Sequence, residues 1–244
     1  MHGESESLDA THGPVLFLSG AGLPAWIWDD VRAALPDGIE TAVAGNPRKA
    51  HASLADYADA AAAETAWPTF AVVAHSSGGV VATELLARHP ARVTGILGVS
   101  AVVPLPGRSF IGTMPLPARL MLSIVMRLAG TRPPAKIIRA GLANGLPEAI
   151  ADKIAADFDP ESVRLYRDAT SARGLPEVRA YLHTTEDREI STAVQRASAE
   201  TLRATWSEDL PTGHLPMLQN PLKVSQAVKR LLAQIAGGAT TTVP

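Results

Sequence analysis

The sequence predicts an α/β fold with a mainly parallel central sheet flanked by helices. Three observations carry this expectation. Short runs rich in Val, Ile, Leu and Phe alternate with stretches of helical period, the pattern of strands joined by crossover helices. Hydrophobic residues form 46% of the 244-residue chain, enough to bury a sheet on both faces. The alternation breaks once, from Pro104 to Arg173, where strand-like runs vanish and proline-punctuated helical segments take over.

In chain order, Val15-Leu16-Phe17-Leu18 is a buried-type strand, followed by a Gly-rich turn and a helix over about 26–35. A second strand is expected over 39–43. Ser53 suits the N-cap of an Ala-rich helix running toward residue 65. Phe70-Ala71-Val72-Val73-Ala74 is a strongly apolar strand, followed by a helix over 79–88 and a strand over 93–99. The sheet resumes at Val178-Arg179-Ala180-Tyr181-Leu182 and again over 202–206. A final helix over 222–235 places Val224, Val228, Leu231 and Ile235 on one face. The core is thus expected over 13–103 and 174–236. The helical insertion, 104–173, far exceeds the roughly 12–15 residues at which structureless loops become uncommon, and such an insertion usually forms a lid. Residues 1–12 and 237–244 read as flexible tails.

Composition narrows the function. The net charge is −2 with Lys and Arg scattered rather than clustered, so no electrostatic footprint for nucleic acid or an anionic membrane is visible. The absence of cysteine excludes disulfides, thiol catalysis and cysteine-rich metal sites; neither a metal nor a cofactor is expected. No run approaches the roughly 18 apolar residues of a membrane span. The polar, acidic residues 1–12 lack the pattern of a signal peptide. The expectation is a cytoplasmic protein acting on a small molecule, with no nucleic-acid or membrane partner and an open oligomeric state.

The strongest motif is Val72-Val73-Ala74-His75-Ser76-Ser77-Gly78-Gly79, where an apolar strand turns into a helix. A serine on so tight a turn needs small residues two before and two after it, and Ala74 and Gly78 satisfy this. Ser76 is therefore the candidate nucleophile. Ser77 is a competing hydroxyl in the wrong register, although its backbone N–H suits a developing oxyanion. An elbow serine is followed in the chain first by its acid and then by its histidine. Of seven histidines, His2, His12, His51 and His75 precede Ser76, and His89 lies at a helix end close behind it. His183 directly follows a strand and reads as structural. His214, in the loop Pro211-Thr212-Gly213-His214-Leu215-Pro216-Met217, is the candidate general base. The acid is expected just after the strand ending at Leu182. Asp187 is favoured there, with Glu186 and then Glu189 as alternatives.

These pieces, with Leu18-Ser19-Gly20-Ala21-Gly22-Leu23-Pro24-Ala25-Trp26 after the first strand, resemble the α/β-hydrolase superfamily over nearly the whole chain. They look closest to its plant-type methyl esterase and hydroxynitrile lyase-like branch and to small bacterial esterases. Asp187-Arg188-Glu189-Ile190 followed by Gln195 is similar to that branch's acid loop. Gly213-His214-Leu215-Pro216-Met217-Leu218-Gln219-Asn220-Pro221 is similar to its histidine segment. Where the branch reads His-Gly-Ala-x-x-Gly-Ala-Trp, this chain has Ser19 for the His and Pro24 for the second Gly. The resemblance implies the α/β-hydrolase fold, a second oxyanion N–H from Ala21, and ester hydrolysis through an acyl-enzyme. Phe110, Ile111, Met114, Leu120, Met121, Ile124 and Met126 of the insertion suggest a small, apolar substrate, although such a stripe more often packs a core. Lyase or cyclase chemistry on the same scaffold and a ligand-binding pseudoenzyme are the alternatives. No lysine closely follows His214 as in hydroxynitrile lyases, the first being Lys223.

Overall fold

The computed structural model describes residues 13–47, 49 and 51–239. Its centre is one sheet of β1 (Val15–Leu18), β2 (Thr41–Val43), β3 (Phe70–His75), β4 (Val93–Val99), β5 (Val178–Thr184) and β6 (Trp206–Leu210). The order is β2-β1-β3-β4-β5-β6, and every neighbouring pair is parallel. All carboxyl ends therefore meet at one edge, where open α/β sheets bind their ligands.

Helices α1 (Asp29–Ala33), α2 (Leu54–Ala63) and α3 (Gly78–Arg88) belong to the first half of the fold. Five helices lie between β4 and β5: α4 (Phe110–Thr113), α5 (Leu116–Ala129), α6 (Ala135–Ala140), α7 (Glu148–Asp157) and α8 (Val163–Arg167). Then come α9 (Thr192–Leu202), α10 (Pro216–Gln219) and α11 (Pro221–Ala239).

The period-2 alternation of each strand divides the core in two. Leu16, Leu18, Val72, Ala74 and Ile96 pack on one face of the sheet with α2, α3 and α9. Val15, Phe17, Ala71, Val73 and Leu97 pack on the other with α1, α7 and α11. Ser53 caps α2 as expected, in a reciprocal capping box with Asp56. Within the insertion, Pro115, Pro134 and Pro147 stand at the N-caps of α5, α6 and α7, where the missing N–H costs no helical bond.

Three sequence readings are corrected. The helix expected over 26–35 is a 3-10 turn, Ala25–Trp28, leading into the short α1. The strand expected over 202–206 begins only at Trp206, because Leu202 ends α9 and Arg203 closes that helix in the left-handed region with φ 52°. β6 is an edge strand with exposed Ser207, Glu208 and Asp209, so it lacks an apolar run. Residues 237–239, read as tail, continue α11, and the other expected tail residues, 1–12 and 240–244, lie outside the described ones. Among the described residues, no helix is long and apolar enough to cross a membrane.

Candidate active site

The site begins at the end of β3. Ser76 follows directly with φ 53°, a conformation that side chains other than glycine rarely take and that costs about 1–3 kcal/mol. The surrounding backbone holds it there. Its N–H donates to Val99 O at 3.3 Å, and its carbonyl accepts from Gly79 N–H at 3.1 Å and Val102 N–H at 2.9 Å. Gly78 is obligatory: a Cβ there would stand 2.5 Å from Leu18 O and 2.8 Å from Ser19 O. A Cβ on Gly20 would stand 2.8 Å from Ser76 Cβ and 2.9 Å from His75 Nδ1. The loop after β1 thus presses against the elbow, as the chemistry of an oxyanion site requires.

Ser19, where the resembled branch has a histidine, makes a different anchor. Its Oγ accepts from the indole N–H of the fully buried Trp28 at 3.0 Å. Ala21 N–H donates to Ser77 Oγ at 2.7 Å, so the two residues expected to supply the oxyanion amides are in contact. Ser77 N–H, next to the first turn of α3, makes no backbone hydrogen bond among the described residues. At Gly22 the insertion takes hold of the same loop. Gly22 N–H donates to Glu161 Oε1 at 3.1 Å, and its carbonyl accepts from Asp159 N–H at 3.0 Å. Tyr57 O–H donates to Glu161 Oε2 at 2.6 Å, and burial pushes the Glu161 carboxyl up from its ordinary range. Beside this cluster lies a cavity of about 460 Å³ lined by Asn46, Lys49, Tyr57 and Glu161, with no contact to Ser76.

The candidate acid and candidate base meet across the next strands. His214 Nδ1 lies 2.8 Å from Asp187 Oδ2, and both side chains are only 1% exposed. Asp187 Oδ2 also accepts from Thr184 Oγ1 at 2.8 Å, while Oδ1 accepts from the N–H groups of Glu189 at 2.7 Å and Ile190 at 2.9 Å. Burial alone would raise this carboxyl. The His214 imidazole facing it and the two amides outweigh that and lower it to about 2. An ionised carboxylate only accepts, so the ring proton sits on Nδ1 and the neutral ring keeps its lone pair on Nε2. Glu186 is exposed and Glu189 does not bond the ring, which separates Asp187 from both rivals.

Three positioning residues were not assigned from sequence. Thr184 bonds the acid directly. Gln195, fully buried on α9, accepts from Thr184 N–H and donates to Ile190 O at 2.8 Å, tying β5 to the acid loop. Gln219 accepts from Gly213 N–H at 2.6 Å and donates to Asn144 O of the insertion at 3.0 Å. No feature of the sequence by itself marks these roles; Gln195 and Gln219 enter the sequence reading only within the segments that carry the resemblance. His183 stacks on Tyr181 at 4.6 Å between ring centroids, away from the pair.

His75, next to the candidate nucleophile in the chain, contacts the candidate base. Its Nε2 lies 2.8 Å from His214 O, so it must carry the proton, and its ring centroid is 4.7 Å from that of His214. Ser76 is the next residue in the chain, and it is 9% exposed. Its hydroxyl makes no hydrogen bond to the imidazole in this state. Such bonds are commonly long in unliganded enzymes and tighten only around substrate. The apolar residues expected to line a substrate pocket divide: Phe110, Ile111 and Met126 are buried in the core, whereas Leu120, Met121 and Ile124 face outward.

The alpha/beta hydrolase family profile matches residues 15–227. The chain belongs to the alpha/beta hydrolase family. Among solved structures, an extracellular alpha/beta-hydrolase from a Paenibacillus species, described as sharing homology with a tobacco salicylic acid binding protein, superposes with a TM-score of 0.79 at 18% identity. That match covers 90% of this chain and 98% of the other. A pyrethroid hydrolase from Sphingobium faniae gives 0.67 at 19% identity over 91% and 97%. A methylesterase from Arabidopsis gives 0.68 at 18% over 90% and 98%. A search of curated proteins finds no match. At these identities the likeness is one of fold, and it includes the methyl esterase relatives that the motifs suggested.

The buried His75 gives this alpha/beta hydrolase a measurable acid sensitivity. Burial first, and then the neighbouring His214, lower its pKa from 6.5 to about 3. Below pH 6.5 the unfolded chain therefore binds a proton that the folded one refuses, and stability falls as pH drops toward 3. His75→Gln keeps a donor for His214 O but cannot titrate. Urea unfolding should show a shallower loss of stability on acidification in the variant than in the parent; equal slopes would remove His75 from this account.

Proposed function

We propose that this alpha/beta hydrolase is a serine carboxylesterase that cleaves a small, largely apolar ester through an acyl-enzyme. The observation that carries the reading is the sealed Asp187–His214 pair at the same sheet edge as the strained Ser76. His214 Nε2 takes the Ser76 proton as Oγ attacks the ester carbonyl, and the carbonyl π electrons move onto its oxygen. The amides of Ala21 and Ser77 hold that oxyanion, the substrate oxygen replacing the Ser77 hydroxyl that now accepts from Ala21. The tetrahedral adduct expels the alcohol, which takes the proton from His214. Water, deprotonated by His214, then attacks the acyl-enzyme and releases the acid with Ser76 reprotonated. Asp187 stays ionised throughout, holding the imidazole and offsetting its transient charge. Metal and cofactor have no part in this scheme. The cysteine-free chain is in keeping with a cytoplasmic setting, which belongs to the same proposal.

The test is a panel of p-nitrophenyl esters of increasing acyl length, with lactones and aryl esters, run beside labelling by a fluorophosphonate probe. Turnover of short apolar esters and one label per chain at Ser76 are expected. Labelling without turnover of any ester would point to lyase or cyclase chemistry, and neither labelling nor turnover would point to a pseudoenzyme.

A further inference from the structure

Helix α5 carries an apolar face that nothing among the described residues covers. Met126 is buried and Leu122 packs partly against the core. On the opposite side Leu116, Leu120, Ile124 and Leu128 recur every fourth residue, which aligns them along one face, with Met121 beside them. Leu128 is 81% exposed and Met121 65%. A continuous apolar face of this kind marks a contact surface rather than scattered surface hydrophobics.

The charge around it selects the partner. Residues 105–147 contain no Asp or Glu, yet carry Arg108, Arg119, Arg127, Arg132, Lys136 and Arg139 within a chain of net charge −2. Arg139 is paired with Asp152, whereas Arg119, Arg127 and Lys136 are exposed and form no salt bridge among the described residues. The whole-chain balance, which pointed away from an anionic membrane, averages this segment with an acidic remainder. We propose that α5 docks flat on an anionic phospholipid surface, its leucine row in the acyl boundary and its flanking cations among the headgroups. An amphipathic helix with apolar and basic sides is suited to lie in the plane of that interface. Self-association fits less well, because facing copies would bring two acid-free cationic segments together. The inference is independent of the esterase reading.

Sedimentation of the full chain with phosphatidylcholine vesicles, with and without phosphatidylglycerol, tests it. Binding is expected only with phosphatidylglycerol and should weaken as salt rises. The combined variant Arg119→Gln/Arg127→Gln should lower the partition coefficient roughly 10- to 30-fold, two surface cations being removed. Leu120→Gln/Ile124→Gln/Leu128→Gln should abolish binding while the circular dichroism spectrum stays that of the parent. These side chains are exposed, so folding is not at stake. Absence of vesicle binding, equal binding to both vesicle types, or a dimer in analytical ultracentrifugation dissolved by the leucine variant would each overturn the proposal.

Discussion

Ser76→Ala is expected to lower kcat on any accepted ester by about 10⁶-fold, because removing a nucleophile disables the serine, histidine and acid as a unit. Its fold should survive. The alanine keeps the Cβ and the φ of 53°, and the bonds to Val99, Gly79 and Val102 are all backbone ones. Ser76→Gly sharpens the test, because it removes both the hydroxyl and the strained Cβ. It should be equally inactive yet more stable than the alanine variant by about 1 kcal/mol, the cost of holding an L side chain in the left-handed region. Kinetics and urea midpoints on the two variants check this. Parent-like turnover by either would move the nucleophile elsewhere, with Ser77 the first place to look.

Asp187→Asn is expected to lower kcat by about 10⁴-fold at neutral pH, the loss typical when an amide fixes the wrong imidazole tautomer. The asparagine NH₂ would face a ring nitrogen that now donates, driving the proton onto Nε2, where the base must be bare. Stability should fall as well. The carboxylate accepts from Thr184, Glu189, Ile190 and His214, and one amide oxygen cannot replace two. Each orphaned buried donor costs about 1–3 kcal/mol. Glu186→Gln, at an exposed side chain, should leave both activity and stability as they are. If Glu186→Gln were the inactive one, the acid would be misassigned. The pH dependence has a definite sign. The folded carboxyl at about 2 lies below its ordinary 3.8, so its contribution is present above pH 4 and is lost as pH falls toward 2. The parent should therefore lose stability over that window more steeply than Asp187→Asn.

Much of this was legible in the chain because local rules and tertiary demands agreed. β1, β3 and β4 are buried along nearly their whole length, so their sequences are mostly apolar and begin where the structure begins them. The elbow announced itself through Gly78, whose missing side chain is demanded by two carbonyls. β6 was misplaced because an edge strand with three solvent-facing polar residues carries no such run. α9 escaped notice because its buried side includes Gln195 and Ser198 alongside Val194 and Leu202. The same applies to the supports of the site. Ser19, Thr184 and Gln195 act through bonds to residues distant in the chain or around a turn, and a polar residue destined to be buried resembles one destined for solvent until its partners are known.

The grip of the insertion on Gly22 divides that insertion by its freedom to diversify. Gly22 is bonded at both its N–H and its carbonyl to residues almost 140 positions away, beside the amide of Ala21. A change at Asp159 or Glu161 therefore reaches the loop of Ala21 through one peptide unit, whereas the outer side of α5 makes no contact with that loop. Laboratory evolution toward a bulkier ester should therefore spare residues 158–162, since altering them would reshape the anion cradle itself.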